Sequence, residues 1–268
     1  MKRLLLPISS GLLMALALPL ALPWWPSGEL DPRGHLEVLA WFGLVPALVA
    51  LDRARSGKAA FGVGLVAGLA YFYGAIWWVN HAMTSFGGVP LPVALLGLSL
   101  LVLYMAFHWA LAFWASYTLR ARLGWPLWAH LPLAWAATEL LRNYLFTGFP
   151  WANLGYLQAR HVTVAQLASL TGVYGIAALV VLVNCALHAA LRARAVGGRF
   201  PWRLAGAAAA LVAAVVAFGA WNLGAVRGGV HRHDRAQGSG RLLRLPRLRA
   251  RRPAAGAAAA PGRVASAS

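Results

Sequence analysis

The sequence predicts an all-α protein, a polytopic bundle of about seven transmembrane helices that ends in a disordered tail. Three observations carry this reading. Hydrophobic residues fill 60% of the 268 positions and charged residues only 11%, against roughly 25% charged in an ordinary soluble domain. The apolar residues fall in long runs, and about 20 of them in a helix cross the hydrocarbon core. The 13 Trp suit a chain with two membrane–water interfaces, where an indole keeps its ring in lipid and its N–H wet.

The runs are 4–22, 34–51, 59–79, 93–119, 127–146, 164–191 and 204–223. Each must be helical, because an open chain in lipid leaves backbone polar groups without partners. The second is short, and the fourth and sixth are long enough to tilt or to extend past the bilayer. Lys2 and Arg3 before the first run, with Ala15-Leu16-Ala17 inside it, also suit a cleaved signal peptide. Its apolar stretch exceeds the usual ~7–15 residues, which favours a retained span.

A net charge of +18 invites a nucleic-acid reading until the charge is placed along the chain. Ten of the 24 basic residues follow Val226, and most others sit in short gaps between runs. With the N-terminus inside, the inner segments hold eleven: Lys2, Arg3, Arg53, Arg55, Lys58, Arg120, Arg122, Arg192, Arg194, Arg199 and Arg203. The outer loops hold three, Arg33, Arg142 and Arg160, and Glu29, Asp31 and Glu37 lie on that side or close to it. That bias places the N-terminus in the cytoplasm and the end of the seventh span on the outer face. No nucleic-acid partner is expected.

Residues 1–226 therefore form the membrane domain. From Arg227 to Ser268 the chain holds ten Arg and ten Ala, one acid (Asp234), and no Lys, Glu or aromatic residue. It lacks the periodicity needed to build a core and is expected to be disordered. Ten arginines on the outer face break the bias that the rest obeys. Such a composition is expected from an out-of-frame reading of a GC-rich gene, with the shift near Arg227.

A single cysteine, Cys185, excludes an internal disulfide and a Cys-rich metal site. It lies within the sixth run and reads as a packing residue. No metal or cofactor is indicated.

Ionisable groups inside spans are costly and by default suggest function. Glu139 is the only carboxylate well inside a run, and Arg142 follows three residues later. At that spacing the two share a helix face and can pair, either to fix packing or to anchor a lipid headgroup or a docked domain. Next comes a shaped outer loop with Gly148, Phe149, Pro150, Trp151, Gly155, Tyr156 and Gln158. Pro removes a helical donor and Gly admits unusual dihedrals, so the loop does not continue the helix. Phe149, Trp151 and Tyr156 would anchor at headgroup depth.

Trp135-x3-Glu139-x2-Arg142, then Gly148-Phe149-Pro150-Trp151-x3-Gly155-Tyr156-x-Gln158, then Gly172-Val173-Tyr174-Gly175 resembles the signature of the apolipoprotein N-acyltransferases. Upstream, Gly68-x3-Phe72-x-Gly74-x2-Trp77-Trp78 and Phe86-Gly87-Gly88-Val89-Pro90-x-Pro92 occur in the order expected of that family. The likeness covers roughly residues 4–223. It implies a bacterial inner-membrane enzyme that moves an acyl chain from a membrane phospholipid to the N-terminal amine of an apolipoprotein's diacylglyceryl-cysteine. It also implies a Glu–Lys–Cys triad, on a nitrilase-like domain after the seventh span, that works by covalent catalysis. No Glu, Lys or Cys follows Leu223, so no catalytic residue carries over and this chain is expected to be inactive by itself. Glu139, Arg142, Phe149, Pro150, Trp151, Gly155, Tyr156 and Gln158 remain as a lipid-binding or structural motif. The alternatives are a small transporter or lipid-binding membrane module built around Glu139 and Arg142, and a tail that binds nucleic acid or anionic lipid through its ten arginines, although its outer location argues against DNA. Nothing fixes an oligomeric state.

Overall fold

A computed structural model of the protein describes residues 2–18 and 36–241, without the side chains of 2, 3, 147 and 226–241. Expectations for residues 19–22, for Glu29, Asp31 and Arg33, and for 242–268 lie outside the described residues. Among the described residues there are nine α-helices: α1 (Lys2–Leu16), α2 (Val45–Asp52), α3 (Gly57–Ala75), α4 (Trp78–His81), α5 (Leu91–Leu123), α6 (Leu127–Tyr144), α7 (Val162–Ala165), α8 (Ala168–Ala195) and α9 (Trp202–Arg241). No strand occurs among the described residues. α3, α5, α8 and residues 202–225 of α9 are long and apolar enough to cross a membrane. The protein is a membrane protein of helical class.

The second apolar run is not one helix. It divides into a 3-10 helix, Leu36–Trp41, and the eight-residue α2. Pro46 is the local cause, since a residue without an N–H is tolerated in a first helical turn but not inside a helix. Distant groups hold the break open. Asn184 of α8 donates to Ala40 O at 2.8 Å and accepts from Leu44 N at 2.9 Å. Ser10 of α1 donates to Gly43 O at 2.6 Å.

Small residues set the packing elsewhere. α3 lies between α1 and α5, and α6 between α5 and α8. A Cβ on Gly64 or Gly68 of α3 would come within 2.8–2.9 Å of the Cα of Ala110 or Ala106 on α5. Lipid gives no hydrophobic drive between helices, so this approach, and the dispersion contacts it permits, holds them together. Aromatic rings fill the middle. Tyr71 stacks on Trp109 at 4.8 Å, and Trp109 meets Trp135 edge-on at 4.6 Å.

The chain divides into two units, 1–224 and 225–268, the second of which is described as far as Arg241. The backbone of α9 is helical to Arg241, fourteen residues past the expected start of disorder at Arg227. No proline occurs before Pro246 to stop it, and extending an existing helix orders one residue per bond gained.

Candidate functional site

Trp135, Glu139 and Arg142 follow one another at helical spacing on the buried face of α6. Glu139 and Arg142 are both buried, at 1% and 0% exposure, yet no direct ion pair between them occurs among the described residues. The expected pairing is replaced by something else. The chain after α6 folds back, and each charged group bonds to it.

Glu139 Oε1 accepts from Leu154 N at 2.7 Å and from Trp135 Nε1 at 3.2 Å. Arg142 Nη2 donates to Asn153 Oδ1 and, at 3.5 Å, to Trp151 O. The guanidinium lies over the Phe72 ring, 5.1 Å from its centroid, a favourable cation–π placement away from water. From α3, Tyr71 OH donates to Ala152 O at 3.2 Å. Tyr104 OH of α5 lies 3.1 Å from Arg142 O and 3.0 Å from Leu145 O, where the helix frays. Three helices therefore hold one short stretch of backbone.

That stretch is strained. Phe146 and Ala152 adopt positive φ, 51° and 54°, which costs a residue with a Cβ on the order of 1 kcal/mol or more and persists only where the surroundings enforce it. The outcome is a loop that turns its polar backbone inward and its rings outward. Pro150, Trp151 and Tyr156 are exposed, Phe149 is half-buried, and Gly155 and Gln158 are buried. Trp151 lies 5.0 Å from Phe149 and 6.3 Å from Trp78, just past the end of α3. Trp77, Phe86 and Phe146 are also exposed. Ala82–Phe86 forms one turn of π-helix, an irregularity often found at functional sites.

The loop continues into a 3-10 helix, Leu154–Gln158, against α8. Gly155 has no alternative there, because a Cβ would strike the Val173 carbonyl. Gly172 breaks the start of α8 with φ 63° and ψ −172°, a conformation open only to glycine. Gln158 donates to Glu37 O at 3.2 Å and its Oε1 lies 2.9 Å from His161 Nδ1, tying the loop to the Leu36–Trp41 turn. The eight motif residues thus divide by role. Glu139, Arg142, Gly155 and Gln158 hold the loop, while Phe149, Pro150, Trp151 and Tyr156 form its outer surface.

Sequence reasoning missed Asn153, Tyr71 and Tyr104. Asn153 stood inside the motif at an unspecified position, and the two tyrosines were hydroxyls inside apolar runs. It also missed Asp52, the one carboxylate in the first inner loop. Asp52 receives Arg120 Nη1 at 2.6 Å, His188 Nε2 at 2.8 Å and Arg192 Nη1 at 3.2 Å, and so ties α2 to α5 and α8. Burial alone would raise its pKa. Hydrogen bonds from His188 and Arg120 and the charges of His188 and Arg192 outweigh this and leave it at about 2. Cys185 is buried in the apolar core, as expected of a packing residue.

Comparison with known proteins decides the family. The profile of the apolipoprotein N-acyltransferase N-terminal domain matches residues 10–186, which include α6, the loop and the break at Gly172. The chain belongs to the apolipoprotein N-acyltransferase family. It is similar to an apolipoprotein N-acyltransferase of Geobacter metallireducens, 36% identical over 190 residues, 70% of this chain and 33% of that one. It is also similar to those of Nitrosomonas europaea, 36% identical over 139 residues (51% of this chain, 28% of that one), and Haemophilus ducreyi, 37% over 149 residues (56% and 28%). The chain spans about a third of the length of these N-acyltransferases.

Proposed function

We propose that this chain is the membrane-embedded platform of an apolipoprotein N-acyltransferase, and that its aromatic loop receives the phospholipid acyl donor for transfer to the amine of a diacylglyceryl-cysteine. One observation supports this most. A loop with exposed Pro150, Trp151 and Tyr156 is fixed from beneath by a buried carboxylate and a buried guanidinium. Rigid rings whose backbone cannot relax make a preorganised surface for an acyl chain at the interface, and preorganisation lowers the ordering cost of binding. In this reading the loop faces the periplasm and the cluster around Asp52 faces the cytoplasm of a bacterial inner membrane, following the arginine bias.

Cys185 does not suit the role of nucleophile. The only thiol, Cys185, is 1% exposed, and covalent acyl transfer needs an accessible, activated one. The purified 268-residue chain is therefore expected to transfer no acyl group from phospholipid to a diacylglyceryl-cysteine peptide. Turnover that disappears in Cys185→Ala would make Cys185 the nucleophile and overturn the reading. Orientation is checked with single cysteines in a Cys185→Ala background in intact cells. Tyr156→Cys should react with an impermeant maleimide from the periplasmic side, and Lys58→Cys only after the inner membrane is opened. The reverse pattern would sink the topology.

A further inference from the structure

The far part of α9 packs on α7 and on the start of α8. Val215 of α9 packs with Val164, Ile176 and Leu179. Gly219 lies so close to Thr163 that a Cβ would strike its carbonyl, and Asn222 donates to Gln166 at 2.8 Å. All three contacts lie in the part of α9 farther from the connection between α8 and α9. Beside these contacts a groove of about 740 Å³ separates the helices, lined by Val183, Leu187 and Ala190 of α8 and by alanines and valines of α9 from Ala205 to Ala220. A second hollow of about 730 Å³ shares Leu187, Ala190 and Phe200 with it and reaches Arg194.

The lining and the length limit what can fill this space. No polar side chain lines the walls between α8 and α9 apart from the indole of Trp41, so water has no partners along them. Fifteen residues of α9 at 1.5 Å each give about 22 Å, more than the ~15 Å half-thickness of the hydrocarbon core. The groove's lining runs along α9 past Val215 and Gly219 to Ala220. Apolar walls of that length suit an acyl chain.

The mouth adds charge and depth. Arg194 is exposed and has no ion pair among the described residues, while Arg192 is engaged with Asp52. Arg199 and Arg203 follow, with no acid between 192 and 203. Phe200 and Trp202 lie 4.4 Å apart and Trp202 is exposed, the placement of an aromatic anchor at the headgroups. We propose that this groove holds one anionic phospholipid from the leaflet on the arginine-rich side, with an acyl chain between α8 and α9 and the phosphate on Arg194. The site lies at the other end of the bundle from Trp151 and is independent of the acyl-donor reading.

The test titrates the full chain in detergent with phosphatidylglycerol or phosphatidylcholine and counts retained lipid by native mass spectrometry. The wild type should retain one phosphatidylglycerol in preference to phosphatidylcholine. Arg194→Gln should weaken that binding about fivefold, the effect of one basic residue at a lipid surface, and Arg194→Lys should restore it. Ala213→Trp, or the milder Ala209→Leu should the Trp lower helicity, fills the groove and should remove the preference for phosphatidylglycerol. Equal retention of both lipids, or a preference that survives Arg194→Gln and both groove-filling changes, would overturn the proposal. So would a lipid-free dimer that Ala213→Trp dissociates, since the groove would then be an interface between copies.

Discussion

Two polar clusters sit near opposite ends of the bundle and hold it in different ways. At one end, Glu139 and Arg142 are fully buried and, apart from the Trp135 indole on their own helix, their side chains bond to a single loop, 151–154. At the other, Asp52 is 20% exposed and gathers Arg120, His188 and Arg192 from two long helices. Placing charges out of water is costly, and the cost is recovered only where geometry and hydrogen bonds are right. The buried cluster therefore shapes a local surface and tolerates little change. The partly exposed one fastens helix ends and is screened by water, so its outer partners, Arg120 and Arg192, cost less to lose.

The largest expected effect comes from breaking the buried cluster by half. Arg142→Met leaves Glu139 buried without a compensating charge and should cost about 3–5 kcal/mol, read as a lower SDS concentration for unfolding in mixed micelles. Glu139→Gln added to it should recover part of the loss. If the double change costs as much as the two singles together, the groups act independently and the comparison fails.

A smaller effect is expected at Asp52. Its pKa is about 2 in the folded protein against an ordinary 3.8, so its contribution is complete above about pH 4 and is lost as pH falls through 2. Asp52→Asn should cost on the order of 1–2 kcal/mol at neutral pH, with partial exposure discounted. The difference from wild type should shrink between about pH 4 and 2. A difference that stays constant to pH 2 would show that the bonds act through packing and not through charge. The smallest effect belongs to Arg192→Ala. That side chain is 52% exposed, and pairs of this kind contribute less than about 1 kcal/mol. A larger loss would place Arg192 in the cluster as a full member and narrow the contrast between the two ends.

Much of the loop was legible beforehand. Trp135, Glu139 and Arg142 fall on one face of any α-helix, and the Gly148–Pro150 sequence ends that helix whatever surrounds it. The ion pair was not the outcome, because spacing puts two groups on a face but does not say what else arrives there. Leu154 N and Asn153 arrive by chain reversal, and Gln158 finds its partner at Glu37, 121 residues away. Asp52 was overlooked for the same reason. Its partners lie 68, 136 and 140 residues along, and nothing near it in sequence sets it apart from an ordinary loop acid.

The sequence by itself determined the solvent, the helical class and the family. Those follow from composition, from runs long enough to cross hydrocarbon and from motifs in order, all of which are local in the chain. Only the tertiary structure decided that the second apolar run is two short helices instead of one span. Pro46 permits a fresh start there, but the open carbonyl of Ala40 and the N–H of Leu44 need partners, and Asn184 supplies both from 144 and 140 residues away. A buried backbone group left unpaired costs about as much as a lost hydrogen bond. The break can exist only because another helix is there to satisfy it.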